Sequence, residues 1–357
     1  MAYTTIDDGS AHFQTALYSS DSSSVTVTND GNSNLQPDWI WIKVRNGTNN
    51  HNTFDTSRGV ANRLKPNTND AEDGSSGVSV SSDGFATGTS LGDINNTSGS
   101  NTYVAWQWKA NGGTTTTNDA SSTSVDSIDS VYQTNTTTGF SIVTWTGTGS
   151  AGTIAHGLGA TPQVVILKSR DNAHDWLTAH NSMHSTPWEK YLTLHTTNAV
   201  ADDVIWNDTA PTSTVFSVGS YDSTNGNNVK LVAYCFSEVQ GYSKFGSYKG
   251  NGDADGTFVY TGFKPAWIMT KRTDANNEAW NIQDNKRSPF NVQDNFIQTD
   301  SDAEGSAGGT GIWDALSNGF KLRQNLSSTN NSGSNYIYMA FAESPFVSSK
   351  GVPTTAR

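Results

Sequence analysis

The sequence predicts an all-β protein made of three tandem, related antiparallel β-sandwich domains. Three observations predict it: a composition that favours strands and loops, a strand pattern that recurs three times, and a spacing between recurrences of about one domain. Only 15% of the 357 residues are charged, and Ser, Thr, Asn and Gly, which are poor helix formers, supply much of the polarity. The 11 Trp, 12 Tyr and 14 Phe provide enough large side chains for a core, which argues against disorder.

The recurring pattern consists of three anchors that follow one another in the same order. The first anchor is an apolar strand that begins with Pro and ends at basic residues. The second anchor is a strand opened by Phe, and the third is a strand of the Tyr-Val-Ala-Trp type after a polar turn. The first anchors are residues 37–45, 162–170 and 265–272, the second anchors start at Phe85, Phe216 and Phe320, and the third anchors are 103–106, 231–234 and 338–341.

Each anchor has neighbours that extend the pattern. An opening strand precedes the first anchor, since 140–145 matches 258–263 and 13–15 is a weaker counterpart, and an aromatic follows it at Phe54, Trp176 and Trp280. A continuous apolar run such as 164–167 suits a strand buried on both faces, and Pro as its first residue costs no ladder hydrogen bond. Only 176–194 could hold a short helix, best at 180–192, and Pro187 interrupts it.

Composition divides the chain into six segments. From Pro37 to Pro162 is 125 residues and from Pro162 to Pro265 is 103, which is the size of one sandwich domain. Length and aromatic content favour a jelly roll over a smaller immunoglobulin-like sandwich. The segments are unit one (1–110), a flexible Ser/Thr-rich linker (111–138), unit two (139–238), a junction (239–256), unit three (257–345) and a C-terminal tail (346–357).

The charge balance and the cysteine content exclude several classes of protein. With 21 Lys and Arg against 33 Asp and Glu, the chain is not expected to bind nucleic acid through bulk charge. One Cys cannot form a disulfide framework. No apolar run reaches the roughly 18–20 residues of a membrane helix, and the N-terminus does not have the pattern of a signal peptide. We therefore expect that the protein does not insert into a membrane. We also expect that it is synthesised in the cytoplasm without a signal peptide.

No pattern of catalytic residues emerges. The chain has no Gly-Xaa-Ser-Xaa-Gly motif, and Cys235 lies inside an apolar strand, where a buried thiol is expected. Glu238 and Glu343 follow the third anchors of units two and three, where they are interpreted as capping or ion-pair residues. We therefore predict no catalytic residues; a glycan hydrolase, which needs two carboxylates roughly 5–10 Å apart, is the alternative.

The sequence predicts no metal or other cofactor either. His180 and His184 have the spacing of two ligands on a helix, but no Glu follows His180 as in a metalloprotease, so a surface or stacking role is favoured. The acidic segments 70–73 and 253–256 supply oxygen ligands on loops, and loop-bound calcium is the alternative to solvated turns. His156, His174 and His195 complete the histidine cluster of unit two.

Aromatic side chains at loops are the candidates for receptor or glycan binding, because the faces of sugar rings stack on aromatic rings. Indoles on predicted strands are expected in the core. The candidates that border loops are Trp176, Trp206, Trp280 and Trp313.

Specific strings are distributed along the whole chain. They are 1–8 (MAYTTIDD), 13–15 (FQT), 35–39 (LQPDW), 147–153 (GTGSAGT), 156–159 (HGLG), 207–213 (NDTAPTS), 246–252 (GSYKGNG) and 339–345 (MAFAESP). With these strings the chain resembles a group of virion proteins of marine tailed phages, which are structural or tail-fibre-like. The group defines no catalytic residues.

The resemblance implies a structural protein on the surface of a phage particle. It would be a tail fibre, a head fibre or a capsid decoration component that exposes loops to a host-surface glycan or receptor. Its partners would be other virion proteins and further copies of itself, with a homotrimer favoured. The alternative is a carbohydrate-active depolymerase or a lectin-like glycan-binding protein on the same scaffold.

Overall fold

Strands account for 39% of the residues that the structure describes and helices for 6%, so the prediction of an all-β protein is confirmed. The computed structural model describes residues 4–74, 77–89, 91–97, 99–300, 304–306 and 311–342. Within these residues every helix is a single turn, as expected of a chain poor in helix-forming residues, and none is long and apolar enough to cross a membrane.

The strands have the following bounds. The first third contains β1 (Phe13–Ser19), β2 (Thr26–Val27), β3 (Trp39–Val44), β4 (Asn52–Asp55), β5 (Asn62–Arg63), β6 (Asp73–Gly74), β7 (Val78–Ser81), β8 (Gly84–Thr87) and β9 (Thr102–Trp108). The middle contains β10 (Thr116–Asn118), β11 (Ser130–Asn135), β12 (Phe140–Thr146), β13 (Gly152–Ala155), β14 (Val164–Ser169), β15 (Leu177–His180), β16 (Lys190–Thr193), β17 (Ala201–Asp202), β18 (Val215–Val218) and β19 (Lys230–Phe236). The last third contains β20 (Ser243–Lys249), β21 (Phe258–Tyr260), β22 (Trp267–Arg272), β23 (Asn281–Asp284), β24 (Asn295–Gln298), β25 (Glu304–Ser306), β26 (Trp313–Leu316), β27 (Gly319–Leu322) and β28 (Asn335–Phe341).

The helical turns lie between these strands. They are the α-helices α1 (Ala120–Thr123), α2 (Asp222–Asn225) and α3 (Ser327–Asn330) and the 3-10 turns Gly9–Ala11, Pro187–Glu189 and Val204–Trp206. The short helix predicted within 176–194 is therefore reduced to the turn Pro187–Glu189, because Pro187 cannot continue a preceding helix.

Three large sheets share one antiparallel strand order. The first sheet runs β1-β9-β3-β4, the second β10-β11-β12-β19-β14-β15-β16-β17 and the third β20-β28-β22-β23-β24-β25. In each, the third-anchor strand lies between the opening strand and the first-anchor strand, which then pairs with the strand that follows it. The register is also equivalent, since Trp39 pairs with Trp108, Val164 with Phe236 and Trp267 with Phe341.

A small sheet accompanies each large sheet and contains the second anchor. These sheets are β2-β8-β7, β13-β18 and β21-β27-β26. The Phe that opens each second anchor is buried, and the third small sheet packs through Phe320 and Trp313 against Tyr336 and Tyr338 of β28. Every residue of β3 and of β14 is buried, as the continuous apolar runs predicted. The layers are sandwich-like, and a jelly-roll topology stays a prediction.

The large sheets share one aromatic core. Trp39 stacks on Trp108 at 4.5 Å between ring centroids and on Tyr234 of the second sheet at 4.4 Å. The Phe341 ring of the third sheet lies 5.8 Å from the rings of Trp108 and Phe236. Because residues from all three sheets meet there, the core does not divide at the predicted domain boundaries.

The prediction of the third opening strand was wrong. The strand beside β28 is β20, which lies inside the predicted junction, whereas β21 belongs to the small sheet. Gly246 and Ser247 interrupt the apolar pattern of β20, so its sequence resembles a loop. In β21, exposed Phe258 and Tyr260 flank buried Val259, which is the alternation of a strand with one face in solvent.

The flexible linker predicted at 111–138 was also wrong. It contains β10, α1 and β11, and β11 pairs along β12 over six residues to extend the second sheet. Thr, Val and Tyr favour strands, so a Thr-rich segment that also contains Val131 and Tyr132 can form one. Gln133 is fully buried and its side-chain oxygen accepts from the backbone amide of Asn111.

Candidate functional site

Equivalent residues link the three sheets in a closed cycle. Asp55, His180 and Asp284 occupy the same register position, opposite the first residue of each first-anchor strand. Each contacts the third-anchor strand of a different sheet. Asp55 of the first sheet contacts the second sheet, His180 of the second sheet contacts the third, and Asp284 of the third sheet contacts the first. Asp55 Oδ2 accepts from the Tyr234 hydroxyl at 2.7 Å, His180 Nε2 lies 3.1 Å from the Tyr338 carbonyl oxygen, and Asp284 Oδ2 accepts from Trp106 Nε1 at 3.0 Å.

A second cycle runs in the opposite direction. His51, Trp176 and Trp280 immediately precede β4, β15 and β23, so the register makes His51, and not the predicted Phe54, the counterpart of the two indoles. Each ring is buried and meets a backbone carbonyl of another sheet's segment. Trp176 Nε1 donates to Lys65 O at 2.9 Å, Trp280 Nε1 donates to Thr193 O at 3.1 Å, and His51 Nε2 lies 3.2 Å from Gln298 O.

All four tryptophans that were predicted as glycan-binding candidates are buried, so that prediction was wrong. Trp176 and Trp280 link sheets, Trp206 Nε1 donates to the Lys190 carbonyl at 3.1 Å, and Trp313 lies beneath the third small sheet. Each is at most 1% exposed, so no ring face is open to a sugar. Their places next to loops suggested exposure, but the indoles of Trp176 and Trp280 extend to another sheet, Trp206 packs against β16 and Trp313 begins the buried strand β26.

Buried ion pairs reinforce two of the sheet contacts. Asp55 pairs with Arg58 and Asp284 with Arg287, and all four side chains are inaccessible to solvent. Arg58 continues to Glu72 at 2.6 Å, which also binds Arg170 of the second sheet at 2.7 Å. Burial acts to raise the pKa of Glu72, but the bonds from the two arginines outweigh it and hold the pKa below its ordinary value.

The basic residue of each first anchor is likewise structural. Lys43, Lys168 and Lys271 occupy equivalent places and are buried. Lys168 Nζ donates to Asn69 O of the first third of the chain at 3.2 Å, and Lys271 Nζ donates to Glu278 O at 2.6 Å. Burial lowers the pKa of Lys168 and of Lys271 to about 8. The perturbed pKa values of these amines therefore mark contacts that hold the interior together.

The surface or stacking role favoured for His180 and His184 is wrong for His180, which is buried. His180 ends β15 and is buried, while His184 lies in the following turn and is exposed, so the two rings do not share a helix face. Burial lowers the pKa of His180 to about 4. Within the residues that the structure describes, no three His, Cys, Asp or Glu side chains gather to hold a metal ion.

The acidic loops considered for calcium pair with cations. Asp70 binds Lys65 at 2.9 Å, and Asp255 binds Lys321 at 2.5 Å. Glu238 accepts from the backbone amide of Phe245 at 2.8 Å and binds Lys244, which confirms its interpretation as a capping and ion-pair residue. Glu343 lies outside the described residues.

Cys235 is confirmed as a buried thiol. Burial raises its pKa. A thiol whose pKa is raised is a poor nucleophile at neutral pH, so Cys235 is interpreted as a packing residue of the core.

A surface groove lies where the second sheet meets the third. Its volume is about 740 Å³, and its charged side chains are Lys190, Asp202, Lys249 and Asp274. Lys190 pairs with Asp202 at 2.5 Å, and Asp274 binds Arg272 at 2.7 Å. The groove offers little aromatic surface, because the ring of Tyr248 at its wall is 9% exposed.

An exposed aromatic surface lies on the outside of the third small sheet. Phe258 is 45% and Tyr260 60% exposed, and both point away from the core because buried Val259 stands between them. Across the sheet, Phe258 pairs with Lys321, which pairs in turn with Asp314. We call the surface formed by Phe258, Tyr260 and Lys321 the aromatic face.

Glycine shapes this surface. Tyr260 pairs with Gly319, and a Cβ at Gly319 would come within 3.0 Å of the Phe258 ring and 2.1 Å of the Val259 carbonyl oxygen. The Phe258 ring therefore extends over the backbone of Gly319 in a place that a side chain would fill. A polar cavity of about 440 Å³ adjoins Tyr260, with Gln240 and Lys244 among its lining residues.

These contacts define a sandwich-like all-β protein in which three sheets close around one aromatic core. The chain belongs to the family described as Domain of unknown function (DUF7483), which matches residues 8–345. All three large sheets and the aromatic face lie within the matched range. No curated protein matches the sequence.

Proposed function

We propose that the chain is a structural component of a phage particle. In this role it is a tail fibre, head fibre or capsid decoration protein that contacts the host surface. Assembly with other virion proteins and as a homo-oligomer, with a trimer favoured, belongs to the same proposal. The sequence resemblance to virion proteins supports the location, and the closed cycle of sheet contacts supports the mechanical role.

The closed cycle is the observation that carries a structural role. Each sheet is bound to both others through side chains with little or no access to solvent. Breaking one of these contacts is costly, because the polar groups stay buried and water cannot replace the lost partner. The three sheets therefore form one unit that resists being pulled apart. Such resistance suits a protein that functions outside a cell.

The distribution of perturbed groups favours structure over catalysis. Enzymes concentrate groups of shifted pKa in a cleft. Here burial strongly lowers the pKa values of three side chains, Lys168, Lys271 and His180. All three bind backbone carbonyls in the interior and not in a cleft. In the groove between the second and third sheets, burial acts to raise the pKa of Asp274, but bonds from Arg272 outweigh it and the pKa is lowered, whereas a glycosidase acid needs a raised pKa.

Locating the protein on particles tests the proposal. Purified phage is labelled with gold-conjugated antibody against the chain and is also analysed by mass spectrometry. We expect the chain in purified particles at a defined position, at the tail tip for a receptor-binding fibre or over the capsid for a decoration protein. Its presence in infected-cell lysate but not in purified particles would overturn the proposal.

The depolymerase alternative has its own assay. The protein is incubated with polysaccharide from the host surface, and released reducing ends are measured. We expect no release above that of a heat-denatured sample. Release that disappears in Asp202→Asn or Asp274→Asn, the two groove carboxylates, would establish the enzyme instead.

A further inference from the structure

The three repeats allow the aromatic face to be compared with its counterparts inside the same chain. The buried residues Val27, Ile154 and Val259 are equivalent, because each pairs with the Phe that opens a second anchor. The residues that flank them along each strand follow from this register, and of these Ala155 in the second repeat is itself buried. The residues equivalent to Phe258 are Thr26 and Thr153, and those equivalent to Tyr260 are Thr28 and Ala155.

The fold therefore forms this small sheet without aromatic residues at either position. Two of the three repeats do so with threonine or alanine. In the third, two large rings stand in solvent, where they contribute little to the core. Exposed aromatic side chains that are adjacent and dispensable for folding are typical of a binding surface.

The two rings form a row suited to a chain-like ligand. Residues two apart on a strand project from the same face at roughly 6.5–7 Å spacing. Successive sugar rings can stack on such a row through their C–H faces, while their hydroxyl groups remain at the edges. The edges are polar: Lys321 lies beside Phe258, and Gln240 lines the cavity beside Tyr260.

The charges around the face favour a neutral ligand. Lys321 binds Asp255 at 2.5 Å, and Arg323 binds Asp314 at 2.9 Å. Lys244, in the adjoining cavity, binds Glu238 at 2.9 Å. The cations near the rings are thus balanced by anions, and a chain of net charge −12 repels polyanions such as nucleic acid.

We propose that the aromatic face binds a neutral carbohydrate chain, with sugar rings stacked on Phe258 and Tyr260. This inference rests on the proposed function and names the class of host-surface receptor. A second copy of the chain fits the face less well. Two rings that each bury at most roughly 150–250 Å² fall short of the roughly 800 Å² per partner that a stable interface needs.

Binding of defined oligosaccharides tests the inference. The full chain is titrated with cellohexaose, laminarihexaose and maltohexaose by isothermal calorimetry. The variant is Phe258→Thr/Tyr260→Thr, which installs the residue types of the first repeat. The matched control is Tyr221→Thr, because Tyr221 is also an exposed tyrosine, 42% accessible, and lies away from the face.

We expect the wild-type chain and Tyr221→Thr to bind at least one hexaose with equal affinity, and the double variant to bind it about tenfold more weakly or not at all. Equal melting temperatures of the three proteins show that folding is unchanged. Binding of none of the three sugars, or equal binding by the double variant, overturns the inference. So does a dimer, measured by light scattering, that the double substitution dissociates.

The outcome is separate from that of the particle experiment. A chain found on particles that binds no hexaose contradicts the carbohydrate inference and leaves the structural role in place. A chain that binds sugar but is absent from particles contradicts the proposed function and identifies a lectin.

Discussion

Removing one buried hydroxyl measures how strongly the cycle of contacts holds the sheets together. In Tyr234→Phe the ring keeps its stack on Trp39 at 4.4 Å, and the hydrogen bond to Asp55 is lost. Asp55 keeps Arg58 as its partner, so no isolated charge is created. A hydrogen bond to a charged group contributes about 1.5–3 kcal/mol, and we expect the free energy of unfolding to fall by that amount.

The chain contains a matched control for this experiment. The Tyr221 hydroxyl also donates to a carboxylate, that of Asp203, but Tyr221 is 42% exposed. Water replaces the lost partner there, so Tyr221→Phe should leave the free energy of unfolding nearly unchanged. Urea unfolding followed by tryptophan fluorescence gives the midpoints, compared at equal slope. Equal losses in the two variants, or a loss below about 0.5 kcal/mol in Tyr234→Phe, would refute the reasoning.

Two further predictions concern the other members of the cycle. Asp284→Ala removes the carboxylate that accepts from Arg287 Nε and Trp106 Nε1, and the free energy of unfolding measured in urea should fall by about 3–5 kcal/mol. Adding Arg287→Met, the residue type of Met183 in the second repeat, should restore most of this loss, and no rescue would contradict the assignment. Burial lowers the pKa of His180 to about 4, below the ordinary value of about 6.5. Between these pH values the unfolded chain binds a proton at His180 and the folded chain does not. The free energy of unfolding therefore falls by roughly 3 kcal/mol as the pH falls through that range. His180→Gln should reduce the difference between urea midpoints at pH 7 and pH 4.5, and an unchanged difference would contradict it.

The sequence was sufficient for the fold class and for the repeated strands. Composition excluded long helices, and the Pro-led runs identified strands that are buried on both faces. The opening strand of the third repeat was missed because Gly246 and Ser247 break the apolar pattern of β20, whereas Phe258–Tyr260 resembled the start of β12 in residue type alone. Residue type does not distinguish a strand of the large sheet from one of the small sheet; pairing does.

The contacts that join the sheets were beyond sequence reasoning for a physical reason. Tyr234 and Asp55 are 179 residues apart, and Trp106 and Asp284 are 178 apart. No local pattern specifies which aspartate meets which ring, because that depends on how three sheets pack. The same applies to Trp176 and Trp280, whose loop positions suggested exposure while their indoles extend into the next sheet.

Register turns the repeats into an internal comparison that separates structural residues from functional ones. Positions that all three repeats bury, such as Val27, Ile154 and Val259, belong to the core whatever the chain does. A position where one repeat carries a different type of residue from the other two needs another explanation. At the cycle, His180 replaces an aspartate and still links sheets through the Tyr338 carbonyl, so that departure preserves a structural contact. At the aromatic face, the third repeat carries two exposed rings where the other repeats have threonine or alanine. A departure that the fold of the other two repeats does not require is the one for which binding is the better explanation.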